Sequence, residues 1–228
     1  MNQLLLDLAR PQPPTLNNFA AGHNGELLAL LSAWLQGTTS ERCVYLWGVP
    51  GSGKSHLLRA LAAAASAKGE MSAYVANSDA LAQFLSSPPA WLAVDDVQML
   101  GAEGEVMLFS LLNRATQGDL RLLLSGSNAP AGLEVRGDVR TRIGAALVFQ
   151  VQPLSDEDKV AALCGHASER GFDLSHDVAE YLLHHGRRDL PSLMVVLDAL
   201  DRYSLEVKRP VTVPLAREVL QASRDSAQ

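Results

Sequence analysis

The segment Gly48–Ser55 has the composition and spacing of a phosphate-binding loop. Its sequence, Gly-Val-Pro-Gly-Ser-Gly-Lys-Ser, fits the P-loop pattern in full, directly after the apolar run Val44–Trp47 and before the helical pattern Ser55–Ala67. In such a loop, backbone N–H groups converge on a phosphate at the positive end of a helix. Lys54 adds a charge on the terminal phosphates, and the Ser55 hydroxyl can reach Mg²⁺. The motif predicts a nucleotide phosphate site.

Two acidic residues follow a second apolar run. Trp91–Val94 is followed directly by Asp95 and Asp96, about forty residues after the loop. We expect the run to be a buried strand whose carboxyl end lies beside the phosphate loop. Asp95 would then hold Mg²⁺, often through water, and Asp96 would orient or deprotonate an attacking water. An ordinary acidic turn is the other interpretation, and the preceding loop favours the metal site.

A third apolar run, Leu120–Leu124, leads into Ser125-Gly126-Ser127-Asn128. The amide of Asn128 would therefore stand at a strand end, where it could contact the γ-phosphate or position water. Ser, Gly and Asn are also ordinary turn residues, so the pattern alone leaves both interpretations open.

The elements that must position these residues alternate between strand and helix, which predicts an α/β fold with a parallel sheet covered by helices on both faces. The predicted strands are Val44–Trp47, Ala73–Val75, Trp91–Val94, Leu120–Leu124 and Ala146–Val151, with helices that include Ser55–Ala67 and Glu105–Thr116. After Pro153 the pattern is helical, with a cap at Ser155 and helices at Asp156–Arg170, Asp177–His185, Leu190–Tyr203 and Leu215–Ala222. We therefore expect an extended tail (1–18), a nucleotide-binding domain (19–152) and a small all-helical domain (153–228).

Composition excludes other classes of protein. Of the 228 residues, 47% are hydrophobic and 19% charged, and no apolar run approaches the length of a membrane span. The net charge of −6 provides no broad basic field for nucleic acid or anionic lipid. Cys43 and Cys164 lie far apart, and the first residues lack a signal-peptide pattern. We expect a cytoplasmic protein that reads no specific DNA sequence and binds no membrane.

The order of these motifs resembles the AAA+ family of P-loop ATPases, whose fold is a five-stranded αβα domain followed by a helical lid. The resemblance implies ADP or ATP with Mg²⁺ as ligands, and it makes Ser55 and Asp95 the metal-binding residues. Asp96 and Asn128 correspond to the family's catalytic acid and first sensor. The implied nucleotide-binding residues are Gly48, Pro50, Gly51, Ser52, Gly53, Lys54, Ser55 and His56.

Further motifs resemble the DnaA subfamily. Asp95-Asp96-Val97-Gln98 and Gly53–Leu58 are similar to its acidic and lysine motifs. Asp138–Ile143 resembles its arginine-finger motif, with Arg142 at the finger position. Arg188–Leu193 resembles its second sensor, and the resemblance implies that Arg188 reaches the nucleotide from the lid in a catalytic and nucleotide-binding role.

Within that subfamily the chain is similar to the Hda family of regulators. Pro153–Lys159 and Arg170–Phe172 carry this similarity, and we expect no further DNA-binding domain after the lid. The tail, Gln3–Leu8, resembles the peptide by which clamp-binding proteins dock on the DNA polymerase sliding clamp, with contacts from Gln3, Leu4, Leu6 and Leu8. A strand or helix packed on its own core is the other interpretation of this leucine-rich segment.

The resemblance implies a regulator that docks on the DNA-loaded clamp and stimulates hydrolysis of DnaA-bound ATP, so that replication initiation is negatively regulated. Arg142 would act in trans on the ATP held by DnaA. The nucleotide bound by this protein itself would be mainly structural. DnaA and the clamp are the expected partners, and a homo-oligomer is left open. Two alternatives are a helicase loader or remodelling ATPase that turns over its own ATP, and a P-loop kinase.

Overall fold

The described residues of the computed structural model are 13–187 and 189–225, with the backbone alone for 223–225. The chain divides into two compact units, Pro13–Pro153 and a unit that begins at Leu154. The sequence predicts a separate tail over residues 1–18, but the described part of this segment, from Pro13 onward, belongs to the first unit. There Thr15 and Asn18 exchange side-chain hydrogen bonds of 2.8 and 3.1 Å, and Leu16 packs against the core.

The centre of the first unit is a parallel sheet of five strands in the order β2-β3-β4-β1-β5. Its strands are β1 (Cys43–Trp47), β2 (Ser72–Val75), β3 (Trp91–Val94), β4 (Arg121–Gly126) and β5 (Leu147–Gln150). Parallel strands covered on both faces are built from continuous apolar runs, and β3 is buried along its whole length. The sequence prediction of a five-stranded αβα domain is confirmed.

Helices cover both faces of this sheet. They are α1 (Gly25–Leu35), α2 (Lys54–Ala67), α3 (Ser78–Ala82), α4 (Gly101–Gln117) and α5 (Gly137–Gly144). Because strand side chains alternate between faces, Val44 and Leu46 of β1 pack with α1 and α2, whereas Tyr45 faces the core that contains α4 and α5. This alternation also decides which polar side chains meet at the strand ends.

The second unit is helical, as predicted. Its helices are α6 (Asp156–Glu169), α7 (His176–His185), α8 (Leu190–Val207) and α9 (Val213–Asp225). The predicted cap at Ser155 is present: the Ser155 hydroxyl accepts from the Asp158 N–H at 3.0 Å, and the Asp158 carboxylate accepts from the Ser155 N–H at 3.1 Å. Within the described part of the chain, no helix combines the length and apolarity needed to span a membrane.

Candidate functional site

The glycine-rich loop connects the end of β1 at Trp47 to the start of α2 at Lys54. Its backbone geometry requires glycine at two points. A Cβ at Gly48 would lie 2.6 Å from the carbonyl oxygen of Val151, and Gly53 has φ of 104°, in the left-handed region. The loop therefore follows a tight path in which its first residue packs directly against the backbone at Val151.

The amino end of α2 offers an anion site. No side chain among the described residues caps it, so its first N–H groups and the positive end of the helix dipole face the loop. The Ser52 hydroxyl is buried and has no hydrogen-bond partner within the described residues. An orphaned hydroxyl beside uncapped amides fits a phosphate group.

Lys54 is 8% exposed, and its ammonium donates to the carbonyl oxygens of Gly48 and Val49 at 2.8 and 3.2 Å. An ammonium has three protons, so two brace the loop and one is left for a ligand. The side chain thus lies within the loop, and its proposed contact with phosphate stays a prediction.

The segment before α1 borders the loop. A Cβ at Gly53 would lie 2.5 Å from the Phe19 ring, and His56 in the first turn of α2 bonds the Thr15 carbonyl at 2.9 Å. Asn24, which is buried, exchanges two hydrogen bonds of 2.8 and 2.9 Å with the backbone of Gln152. The start of this unit is therefore tied to the loop at one end and to the residue two positions after β5 at the other.

Asp95, directly after β3, is 4% exposed and accepts a hydrogen bond on each carboxylate oxygen. The Tyr74 hydroxyl donates to Oδ2 at 2.6 Å, and the Ser125 hydroxyl donates to Oδ1. Each oxygen keeps a lone pair for a further donor, which fits Mg²⁺ held through water. Within the described residues no three His, Cys, Asp or Glu side chains form a metal cluster. Mg²⁺ at nucleotide sites uses one or two carboxylates with waters and phosphates, so Asp95 and the Ser55 hydroxyl suffice as donors.

Asp96 has φ of 45°, a left-handed conformation that is uncommon for a residue other than glycine. Its N–H donates to the Ser125 hydroxyl at 2.9 Å, and its carboxylate accepts from the Gln98 amide at 3.2 Å. Backbone strain of this kind is found at functional sites, where surrounding contacts maintain it.

Asn128 is held by its backbone. The buried Tyr45 hydroxyl donates to the Asn128 carbonyl at 2.6 Å, whereas the Asn128 side chain is exposed and makes no hydrogen bond within the described part of the chain. Burial, helped by the charge of Asp96, raises the pKa of the Tyr45 phenol, so it remains a proton donor. The absence of a side chain at Gly126 makes room for this hydroxyl.

Arg142, near the end of α5, lies at the opposite edge of the sheet. It lines a surface pocket of about 260 Å³ together with Arg42, Cys43 and Ala146, residues at or before the amino ends of β1 and β5. The five residues of β1 separate this edge from the phosphate loop, and a strand rises about 3.3 Å per residue. The structure therefore does not bring Arg142 to the loop of its own chain.

The remaining predicted residues, Arg188 and the tail residues Gln3, Leu4, Leu6 and Leu8, lie outside the described residues. Sequence reasoning missed Tyr74, Ser125 and Tyr45 as site residues. Ser125 carried a signal, since it opens the polar run that ends at Asn128. Tyr74 and Tyr45 carried none, because an aromatic residue is ordinary in a strand.

Residues 156–220 match the family model described as "Hda, lid domain". Domain III of the Thermotoga maritima replication initiation protein DnaA superposes with a TM-score of 0.74 at 17% identity, covering 93% of this chain and 98% of that one. AMPPCP-bound DnaA from Aquifex aeolicus superposes with a TM-score of 0.68 at 19% identity, covering 86% of this chain and 70% of that one.

The Thermotoga maritima RuvB Holliday junction branch migration motor superposes with a TM-score of 0.67 at 18% identity, covering 92% of this chain and 72% of that one. At these identities, the three structures show a shared fold. The chain therefore shares the fold of these three structures, and its residues 156–220 match the Hda lid domain.

Proposed function

We propose that this protein binds ADP or ATP with Mg²⁺ and stimulates hydrolysis of the ATP held by DnaA, and that it thereby negatively regulates replication initiation. The observation that carries this proposal is the position of Arg142. Arg142 lines a pocket at the amino edge of the sheet, whereas the phosphate loop follows the carboxyl end of β1.

Nucleotide binding is supported by the uncapped amino end of α2, the orphaned Ser52 hydroxyl and the loop-bound Lys54. Two of the similar DnaA structures hold AMPPCP, an ATP analogue. In this proposal Asp95 and Ser55 hold the metal, and Asp96 and Asn128 face the terminal phosphate. Arg188 is assigned a role in nucleotide binding by its resemblance to the second sensor motif alone. Because Arg142 is remote from the loop, this nucleotide serves mainly to order the protein.

The proposed role of Arg142 is to enter the nucleotide site of DnaA. A guanidinium is always charged and offers several donors, so it stabilises the charge that develops on a transferring phosphoryl group. Arg142 is exposed and forms no ion pair within the described residues, so no internal contact must break before it engages a partner.

Docking on the DNA-loaded sliding clamp through Gln3, Leu4, Leu6 and Leu8 is the other part of the proposal. The clamp would concentrate the protein where DnaA-bound ATP must be hydrolysed, in the cytoplasm, by raising its effective concentration. A hydrophobic pocket on the clamp would accept the leucines of an extended segment, and the Gln3 amide would bond at its rim.

The test is a single-turnover assay. DnaA preloaded with labelled ATP is incubated with this protein, with and without clamp loaded on DNA, and conversion to ADP is followed. We expect rapid conversion only when protein and loaded clamp are both present. Unchanged DnaA hydrolysis under all conditions would contradict the proposal. Loaded clamp without this protein is the control.

The tail is tested by Gln3→Ala combined with Leu6→Ala. We expect binding to the clamp to be lost while the melting temperature and ADP affinity stay the same, because a docking peptide adds little to the core. If these leucines pack on the protein instead, truncation would cost about 1.5–3 kcal/mol per buried side chain. Clamp pull-down and thermal melting together distinguish the two outcomes.

A helicase loader or remodelling ATPase that turns over its own ATP is the second candidate, favoured by the position of Asp95 and Asp96 at the same carboxyl edge of the sheet as the loop. It predicts steady ATP turnover by this protein alone, without DnaA. The proposed regulator predicts slow turnover by this protein alone and fast conversion on DnaA.

A further inference from the structure

The carboxylate of Asp95 is fixed by side chains from the two strands that flank β3. Tyr74 of β2 donates to Oδ2 at 2.6 Å, and Ser125 of β4 donates to Oδ1, while Asp95 itself follows β3. Asp95 is 4% exposed and Ser125 is fully buried, so little water competes for these hydrogen bonds.

The strand register makes this arrangement possible. Tyr74 pairs with Ala93, and Asp95 lies two residues further along, so both side chains are on the same face of the sheet. Val94 pairs with Leu124, which places Asp95 beside Ser125 on the next strand. Neighbouring strands are about 4.8 Å apart, so both hydroxyls can reach the carboxylate directly.

The direction of both hydroxyl protons is also fixed. A second donor, Nη2 of Arg59, bonds the Tyr74 oxygen at 3.2 Å, and the guanidinium lies 4.7 Å from the ring centroid. The phenol has one proton, and with Arg59 on its oxygen that proton goes to Asp95. In the same way, the Ser125 oxygen accepts from the Asp96 N–H at 2.9 Å and gives its proton to Asp95.

Arg59 belongs to α2, the helix that begins at the phosphate loop. A chain of hydrogen bonds therefore runs from the loop helix through Tyr74 to the acid that follows β3.

We propose that Tyr74, supported by Arg59, is a positioning residue that fixes the Asp95 carboxylate for Mg²⁺ at the phosphate loop. This inference rests on the proposed binding of nucleotide with Mg²⁺. Without the phenol, Oδ2 loses its donor and only the Ser125 hydroxyl on Oδ1 continues to orient the carboxylate. Groups that orient metal ligands typically contribute about 10–100-fold to metal affinity.

The test uses Tyr74→Phe in the full chain, which removes the hydroxyl and keeps the ring. ADP affinity is measured by titration calorimetry in Mg²⁺ and in EDTA, and the ratio of the two is the gain due to the metal. We expect this gain to fall about tenfold in Tyr74→Phe. Affinity in EDTA should change less than about twofold, because no phosphate contact is removed.

Tyr203→Phe is the matched control. The Tyr203 hydroxyl also donates to a carboxylate, that of Glu218 at 3.3 Å, but it lies in the helical unit. We expect Tyr203→Phe to show the same increase in ADP affinity due to Mg²⁺ as the wild type. Arg59→Ala, which leaves the phenol in place without its supporting donor, should give a smaller fall than Tyr74→Phe.

Asp95→Asn separates failure of the inference from failure of the proposed function. If Asp95→Asn loses the gain and Tyr74→Phe keeps it, the positioning role is wrong and the metal site stands. If the wild type itself shows no gain from Mg²⁺, the metal part of the proposed function is wrong, and the inference fails with it. If Tyr74→Phe weakens ADP binding equally in EDTA, with a lowered melting temperature, its role is structural and the inference is overturned.

Discussion

The charged side chains at the two edges of the central sheet differ in burial and in hydrogen bonding. At the carboxyl edge, Lys54 and Asp95 are buried, and each has two hydrogen-bond partners. At the amino edge, Arg42 and Arg142 are exposed, and neither side chain forms an ion pair or hydrogen bond within the described residues. Groups that are buried and prearranged need little reorganisation to act on a ligand of their own chain. Unpartnered guanidinium groups are available to a charge that another molecule brings. We therefore interpret the first edge as serving this protein's nucleotide and the second as serving a partner.

The largest expected effect is at the amino edge. Arg142→Ala should lower the stimulation of DnaA hydrolysis by about 10³–10⁵-fold, because an arginine finger stabilises transition-state charge. It should leave the affinity of this protein for ADP unchanged, since Arg142 is remote from its own loop. Single-turnover hydrolysis and ADP titration measure the two quantities.

Arg140→Ala is the matched control, since Arg140 is exposed on the same helix. It should keep full stimulation. A fall in ADP affinity for Arg142→Ala would contradict the division between the two edges, because it would mean that this arginine acts on its own nucleotide.

At the carboxyl edge, Lys54→Ala should weaken ADP binding by about 10–100-fold, the range for loss of a charged hydrogen bond. Loss of the ammonium also leaves the carbonyl groups of Gly48 and Val49 without their donor. In thermal melting, the shift caused by saturating ADP should shrink accordingly, because a ligand that binds the native state stabilises it. Equal shifts for wild type and variant would exclude this loop as the nucleotide site.

A smaller effect should come from the contact between Gly126 and Tyr45. A Cβ at Gly126 would lie 3.0 Å from the nearest Tyr45 ring carbon and would overlap the hydroxyl, so Gly126→Ala should cost about 1–3 kcal/mol. In a Tyr45→Phe background the hydroxyl is gone and the penalty should be smaller. Urea unfolding of both single variants and the double variant measures this coupling. Additive losses would show that the two residues do not interact.

Much of the fold could be predicted because the strands are continuous apolar runs. Trp91–Val94 was predicted with the bounds that the structure gives, and β1 differs by one residue. The helix α1 was not predicted from its sequence, although its buried residues, Leu27, Leu31 and Trp34, have helical spacing. The short helix α3 was also missed.

The site was predictable where a local motif specifies it, as in Gly48–Ser55. The groups that hold Asp95 could not be predicted, because Tyr74 and Ser125 meet it only through the order and register of β2, β3 and β4. The remoteness of Arg142 from the loop likewise follows from where α5 ends relative to β1. Long-range pairing of this kind is a property of the sheet that no local pattern contains.

The smallest predicted effect concerns Cys43, which lines the pocket at the amino edge of the sheet. Burial, and secondarily the charge of Glu41, raises the pKa of the Cys43 thiol to about 12. An unfolded cysteine ionises near about 8.5, so above that pH the unfolded chain loses a proton that the folded chain keeps. The stability that comes from the protonated thiol is therefore complete below about pH 8.5 and declines as pH rises towards the folded pKa, by about 1.4 kcal/mol at pH 9.5. Between pH 7.5 and 9.5, urea unfolding should show that the wild type loses that much more unfolding free energy than Cys43→Ala.

Cys164→Ala is the control, and Glu41→Gln should lessen the pH-dependent loss of unfolding free energy. Low polarity around Cys43, which lines the same pocket as Arg42 and Arg142, would strengthen the attraction of these arginines for a partner's phosphate, because charges interact more strongly at low dielectric. Equal pH dependence in wild type and Cys43→Ala would show instead that water reaches the Cys43 thiol, and the amino edge would then lose that advantage.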